Sequence, residues 1–149
     1  MHHIGAKPVL VDCGVDHLIC SADIEHRITA ATKAILPVQL NGRTCDMDLI
    51  EDLAKRYKLT IVEDSAQALG SKFKGKHAGT FGDASAISFF PAKVLGCFGD
   101  GGAILCQNSN FFDKVYQLHD HGRDIEGNVK SWGRNSRLDN LQAAILNFN

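Results

Sequence analysis

MDLIEDLAKRYKLTIVEDSAQALG, residues 47–70, decides the architecture. Its first half sets Met47, Ile50, Leu53, Ala54 and Tyr57 at spacings of three and four, with Glu51, Asp52, Lys55 and Arg56 elsewhere on the turn. That is the stripe of an amphipathic helix with one face on a core. Asp46 stands just before it, and a short carboxylate there suits an N-cap because it accepts from the unpaired N–H groups of the first turn. The second half opens with LTIVED at 59–64, an apolar run that closes on two carboxylates. Upstream, AILPVQL at 34–40 reads as another strand. Strand, helix and strand with short links form a βαβ unit, which joins parallel strands by a right-handed crossover.

Three further runs read as strands: PVLVDC at 8–13, ASAISFF at 84–90 and GAILCQ at 102–107. Several are apolar nearly throughout, the pattern of strands covered on both faces. A second helix is expected over 109–119, capped by Asn108 or Ser109, with Phe111, Val115 and Leu118 facing inward. A third is expected from Ser136, where Ser136 and Asp139 fit a capping box and Leu138, Leu141, Ile145 and Phe148 continue the stripe. The fold class is therefore α/β, a three-layer α/β/α sandwich on a mainly parallel sheet. No Gly, Pro or basic turn closes the last stripe, and the chain enters its first run within a few residues of Met1, so both ends read as cut mid-element.

Composition narrows the function classes. The 149 residues are 44% hydrophobic and 22% charged, as in an ordinary globular domain. Sixteen Lys plus Arg against 17 Asp plus Glu leave a net charge of −1, so no overall field gathers nucleic acid or an anionic membrane. No apolar run approaches the roughly 18 residues of a membrane helix, and a cytoplasmic protein is expected. The five cysteines, at 13, 20, 45, 97 and 106, form no CxxC pair, and their odd count fits reduced, partly buried thiols. His119 and His121 flank Asp120 with no third ligand nearby, so no metal is expected.

Open α/β sheets bind ligands beyond the carboxyl ends of their strands. Glu63 and Asp64 stand at such an end, with Gln67 following, where a carboxylate holds a cationic ring nitrogen or a metal, or caps the next helix. Lys93 is the one charged residue between Asp83 and Asp100, among Phe89, Phe90, Val94, Leu95 and Phe98. Desolvation disfavours an ammonium and turns the amine into a nucleophile for carbonyls, unless the side chain snorkels to water. Ser88 offers a hydroxyl to a phosphate or to a turn. Gly99, Gly101 and Gly102 permit a tight, hairpin-like return but do not spell GxGxxG. Asn135, Ser136 and Arg137 open a helix and suit either an anion or ordinary capping.

The joint order of these segments is more specific than any one of them. EDSAQALG, then SFFPAKVLGCFGDGGA, then GRNSRLDNLQAAIL, with GAKPVLVDC, PVQLNGRTCDMD and GSKFKGKHAGTFGD in place before and between, resembles the DegT/DnrJ/EryC1/StrS family of pyridoxal-phosphate-dependent nucleotide-sugar aminotransferases. The resemblance covers almost the whole chain. It implies that residues 1–149 are part of the pyridoxal-phosphate-binding large domain of a fold-type I enzyme, without its N-terminal part and without the C-terminal small domain. It further implies that Lys93 forms the Schiff-base linkage to pyridoxal 5'-phosphate, Asp64 holds the pyridine nitrogen, Gln67 meets the ring hydroxyl and Ser88 binds the phosphate. Asn135 matches a position that reaches the cofactor phosphate of a neighbouring subunit, which implies a homodimer with shared active sites. Arg137 matches a basic position that meets a substrate carboxylate or phosphate.

The reaction so implied moves an amino group from an amino acid donor, usually glutamate, to a nucleotide-linked keto sugar, for amino-sugar and cell-surface polysaccharide biosynthesis. The alternative is a truncated, non-catalytic remnant that acts only by association with other polypeptide. A dehydrating relative would carry His where this chain has Lys93, and a nicotinamide oxidoreductase would need a GxGxxG that DCGVDH at 12–17 does not supply.

Overall fold

The protein is described by a computed structural model covering residues 1–148. Helix α1 (Ser21–Arg27) precedes strand β1 (Ala34–Ile35), and helix α2 (Met47–Tyr57) leads to β2 (Thr60–Asp64). A short antiparallel pair, β3 (Lys72–Phe73) and β4 (Lys76–His77), is followed by β5 (Ala84–Ser88), β6 (Gly102–Cys106), α3 (Ser109–His119) and α4 (Asn140–Leu146). The main sheet runs β1-β2-β5-β6, with β1, β2 and β5 parallel and β6 antiparallel to β5. This is the expected α/β class with a mainly parallel sheet.

Helix α2 forms as its stripe requires. Asp46 accepts from the N–H of Leu49 at 3.3 Å, and Met47, Ile50, Leu53 and Ala54 are buried. They pack with Leu18, Ile24, Ile35, Cys45 and Ile61 into a hydrophobic core. Tyr57, the fifth residue of the stripe, stays 40% exposed because its hydroxyl donates to Glu25 on α1 at 2.6 Å.

Other expectations are corrected. No strand forms over 8–13: Val9 and Leu10 are exposed, and the segment folds back on itself through a single bridge from Cys13 to Ile19. The bonds that would join a sheet go instead to that turn, from Gly14 N–H to the Leu18 carbonyl at 2.8 Å and from Cys20 N–H to that of Asp12 at 2.8 Å. The strand expected over 34–40 stops at Ile35, since Pro37 has no N–H, and pairing resumes only as a bridge from Val38 to Asp64. The last helix begins at Asn140 rather than Ser136, whose backbone N–H is taken by the His119 carbonyl at 2.8 Å. Asp139 caps it without a side-chain hydrogen bond. Asn108 does cap α3, accepting from Phe111 N–H at 3.1 Å, but Phe111 and Leu118 are exposed rather than turned to a core. All five cysteines are free thiols, and Cys13 is exposed rather than partly buried.

Register decides which residues share a face. Asp64 lies beside Ala86 and Ala86 beside Ile104, while Ser88 lies beside Gly102. Side chains alternate along a strand, so Asp64, Ala86, Ser88 and Ile104 project from one face, and Ile61, Glu63 and Ser85 from the other. The second face is the one α2 covers, where Ile61, Glu63 and Ser85 are buried. On the first, Ala86 and Ile104 are exposed.

Candidate active site

Two adjacent carboxylates at the end of β2 have opposite surroundings. Glu63 is 1% exposed and accepts four hydrogen bonds: Oε2 from Gln39 Nε2 at 2.9 Å and Gly79 N–H at 2.8 Å, and Oε1 from the N–H groups of Phe81 at 2.7 Å and Gly82 at 2.8 Å. A buried carboxylate is tolerated when its lone pairs are filled in this way. Gly79 belongs to the cradle for a steric reason: its φ is +86°, and a Cβ there would meet Ser85 Oγ at 3.0 Å and Ser65 Oγ at 3.3 Å. The sequence places Glu63 at the strand end with Asp64 but does not reveal this cradle, because the groups that bind it are mostly backbone N–H donors with no side-chain signature.

Asp64 is half-buried on the open face. Its backbone is held on both sides, with its N–H donating to the Pro37 carbonyl and its carbonyl accepting from Gln39, both at 2.9 Å. Oδ1 accepts from the N–H of Ala66 at 3.1 Å, which closes a turn rather than capping a helix. Gln67 follows, exposed, and its Oε1 accepts from the backbone N–H of Asn41 at 3.2 Å. That N–H can only donate, so the oxygen of the Gln67 amide must face it and the NH2 group is turned away, as a donor for an oxygen ligand.

Ser88 ends β5 on the same face as Asp64. Its Oγ accepts from Phe90 N–H at 3.2 Å, leaving the hydroxyl proton to donate. Lys93 lies five residues on, in the connection between β5 and β6. That connection is tied at its base by Phe89 N–H to the Gly101 carbonyl and Cys97 N–H to the Phe89 carbonyl, both at 2.8 Å, and Lys93 N–H donates to the Phe90 carbonyl at 2.9 Å. Lys93 is half-buried, but the apolar surround expected for it is thinner than its sequence neighbours suggest, because Phe90, Val94 and Phe98 are 48%, 84% and 76% exposed.

Asn135 and Arg137 lie on a segment laid antiparallel against the end of α3. Asp120 bridges Asn135, His121 N–H donates to the Arg134 carbonyl at 3.0 Å, and Arg134 N–H donates to that of Leu118 at 2.8 Å. An open cleft of about 380 Å³ lies between Asp100, Gly101 and Gly102 on one side and Ser136, Arg137 and Leu138 on the other. Gly102 pairs with Ser88 on the neighbouring strand, but Ser88, Asp64, Gln67 and Lys93 do not line the cleft. Among the described residues no cluster of three or more His, Cys, Asp or Glu is placed to hold a metal ion, and no helix is long and apolar enough to cross a membrane.

Asp64 and Ser88 thus end two neighbouring parallel strands, and Gln67 and Lys93 lie in the loops that follow them. The family model for DegT/DnrJ/EryC1/StrS aminotransferases matches residues 1–149. The chain belongs to that family. It is 43% identical over 146 residues to the UDP-2-acetamido-2-deoxy-3-oxo-D-glucuronate aminotransferase of Pseudomonas aeruginosa, covering 96% of this chain and 40% of that protein. The crystal structure of S. venezuelae DesV in complex with a ketimine intermediate superposes with a TM-score of 0.93 at 41% identity, over 99% of this chain and 40% of that one. NtdA of Bacillus subtilis, solved with bound cofactor PMP, gives a TM-score of 0.85 at 40% identity over 95% of this chain and 33% of its own. This DegT/DnrJ/EryC1/StrS chain thus spans 40% or less of the length of each of these relatives.

Proposed function

We propose that this chain forms the cofactor-binding centre of a pyridoxal-phosphate-dependent aminotransferase that passes an amino group from an amino acid, glutamate being the usual donor in the family, to a nucleotide-linked keto sugar in amino-sugar biosynthesis. The observation that carries the reading is the placement of Asp64 and Ser88 on one open face at the carboxyl ends of neighbouring parallel strands, with Lys93 on the turn that follows.

The residues present fit the group. Pyridoxal phosphate, when bound, supplies a carbonyl for amines and a sink for the electrons of a departing α-proton. Asp64 would hold a proton at the ring nitrogen by charge, Gln67 would donate from its outward NH2 to the ring oxygen, and Ser88 would donate its hydroxyl to the phosphate. Lys93 would hold the group through Nζ and would serve the substrate proton as general base and acid. Asn135 would donate to a cofactor phosphate, across a homodimer interface as in the family, and Arg137 lines a cleft with Gly102, the strand neighbour of Ser88. The exposed Ala86 and Ile104 favour a sheet face completed by further polypeptide, whether the remainder of a longer chain or a second copy.

Incubation with pyridoxal phosphate, reduction with borohydride and peptide mapping test the assignment. The reduced adduct is expected at Lys93 ahead of the exposed lysines and is expected to be lost in Asp64→Ala. Labelling spread evenly over the surface lysines would overturn it.

A further inference from the structure

The segment that carries Asn135 contains an arrangement the aminotransferase reading does not use. Arg137 Nε donates to Asn135 Oδ1 at 3.2 Å, and Arg137 Nη1 lies 3.5 Å from Asp120 Oδ1. Asp120 caps the end of α3 and is the bridge partner of Asn135, so the three side chains close a ring over two antiparallel segments. Asp120 Oδ1 is buried with no hydrogen bond, and two guanidinium groups face it, Arg137 and, at 3.9 Å, Arg123. A buried carboxylate oxygen without a hydrogen bond is expensive unless charge offsets it, so the guanidinium of Arg137 is drawn to that position.

The consequence falls on Asn135. An amide can present its oxygen or its NH2 to a ligand, and the two ends suit opposite charges. Arg137 Nε is a donor with no lone pair to offer, so it selects the amide oxygen and turns the NH2 group of Asn135 away from the protein. We propose that Asp120 and Arg137 are positioning residues: Asp120 holds the Arg137 guanidinium, and Arg137 orients Asn135 so that its two N–H donors face a phosphate oxygen of the ligand. This rests on the reading of Asn135 as a phosphate contact and adds to it the device that gives the amide its polarity. It also changes the part assigned to Arg137, from a group that binds substrate itself to one that acts through its neighbour.

The test uses the whole chain and the variants Asn135→Ala, Arg137→Met and Asp120→Asn, with circular dichroism to confirm folding. Affinity is measured for pyridoxal phosphate and for pyridoxal, which lacks the phosphate, and the heteronuclear NOE of the Asn135 side-chain amide is measured without any ligand. Loss of one hydrogen bond to a charged group predicts pyridoxal phosphate binding about tenfold weaker in each variant. Pyridoxal binding is expected to stay unchanged. Arg137→Met combined with Asn135→Ala is expected to be no weaker than Asn135→Ala alone, and the NOE is expected to fall in Arg137→Met and in Asp120→Asn. An unchanged NOE in both of those variants overturns the proposed orientation, whether or not the chain binds cofactor. Full additivity of the double variant also overturns it, by showing that Arg137 contacts the ligand itself. Undiminished pyridoxal phosphate affinity in Asn135→Ala, with the NOE still responding to Arg137, overturns instead the phosphate contact on which the proposal rests.

Discussion

Replacing Glu63 by Gln keeps the shape of the side chain and removes its charge together with the ability of both its oxygens to accept. In the native protein each oxygen takes two donors, Oε2 from Gln39 and Gly79 and Oε1 from Phe81 and Gly82. The substituted amide can serve one pair with its carbonyl oxygen, and its NH2 then confronts the other. Rotating that amide only exchanges the pairs. Gln39 offers no escape, since its own Oε1 is committed to Cys45 N–H at 2.7 Å, and flipping it would orphan that donor inside the core. Two buried N–H groups therefore lose their acceptor at about 1–3 kcal/mol each, a total of about 2–6 kcal/mol out of a typical 5–15. For a chain of this size that is a fall in Tm of roughly 5–20 °C. Urea denaturation followed by circular dichroism measures it, with Asp52→Asn as control, a residue whose pairing with Arg56 stands in full view of solvent and carries little net weight. A Glu63→Gln loss no larger than the control would refute the reasoning, because it would mean that the four bonds carry no net weight.

Ile50, wholly buried on α2, is expected to cost about 2–5 kcal/mol as Ile50→Ala, read by the same denaturation curves. Burial pushes the Cys45 thiol from an ordinary value of 9.0 up to about 11. Its folded pKa is raised, so the stability linked to it is intact below pH 9 and is lost as pH rises toward 11, and iodoacetamide at pH 8 is expected to modify exposed Cys13 well before Cys45. Gly122 has φ +82°, and a Cβ there would collide with the Ser131 carbonyl oxygen, so Gly122→Ala is expected to displace the 121–134 connection. Amide chemical shifts should then move from Asp120 through Arg137 while those of α2 stay in place.

The parts of the fold legible in sequence are those whose signal is local. The α2 stripe and the Asp46 cap are of this kind, as are the apolar runs that became β2, β5 and β6. The expectations that failed depended on where backbone groups found partners. The 8–13 run has the composition of a strand, yet its bonds are consumed by a turn that ends at Cys20. The 34–40 run is cut by a proline visible in the sequence, whose missing donor outweighs the apolar pattern. Ser136 reads as a cap because it precedes a stripe, but its N–H belongs to a bridge formed with residues 17 positions earlier, at His119. At the candidate site the residue types at strand ends could be read directly. The cradle around Glu63 could not, being built from main-chain N–H groups of a loop, nor could the orientation of Asn135, which depends on Asp120 in another element.

The tie between Glu63 and residues 79–82 has a consequence for how this scaffold tolerates change. Those residues lead directly into β5, so one buried anion fastens the tip of β2 to the root of its neighbour and thereby sets how far Asp64 stands from Ser88. The spacing of the two polar groups is governed from underneath, by atoms no ligand touches. Variation in the 89–101 connection can retune what passes over the sheet while that interval holds, whereas an insertion anywhere between Gly79 and Gly82 would shift one strand tip against the other like a slipped vernier.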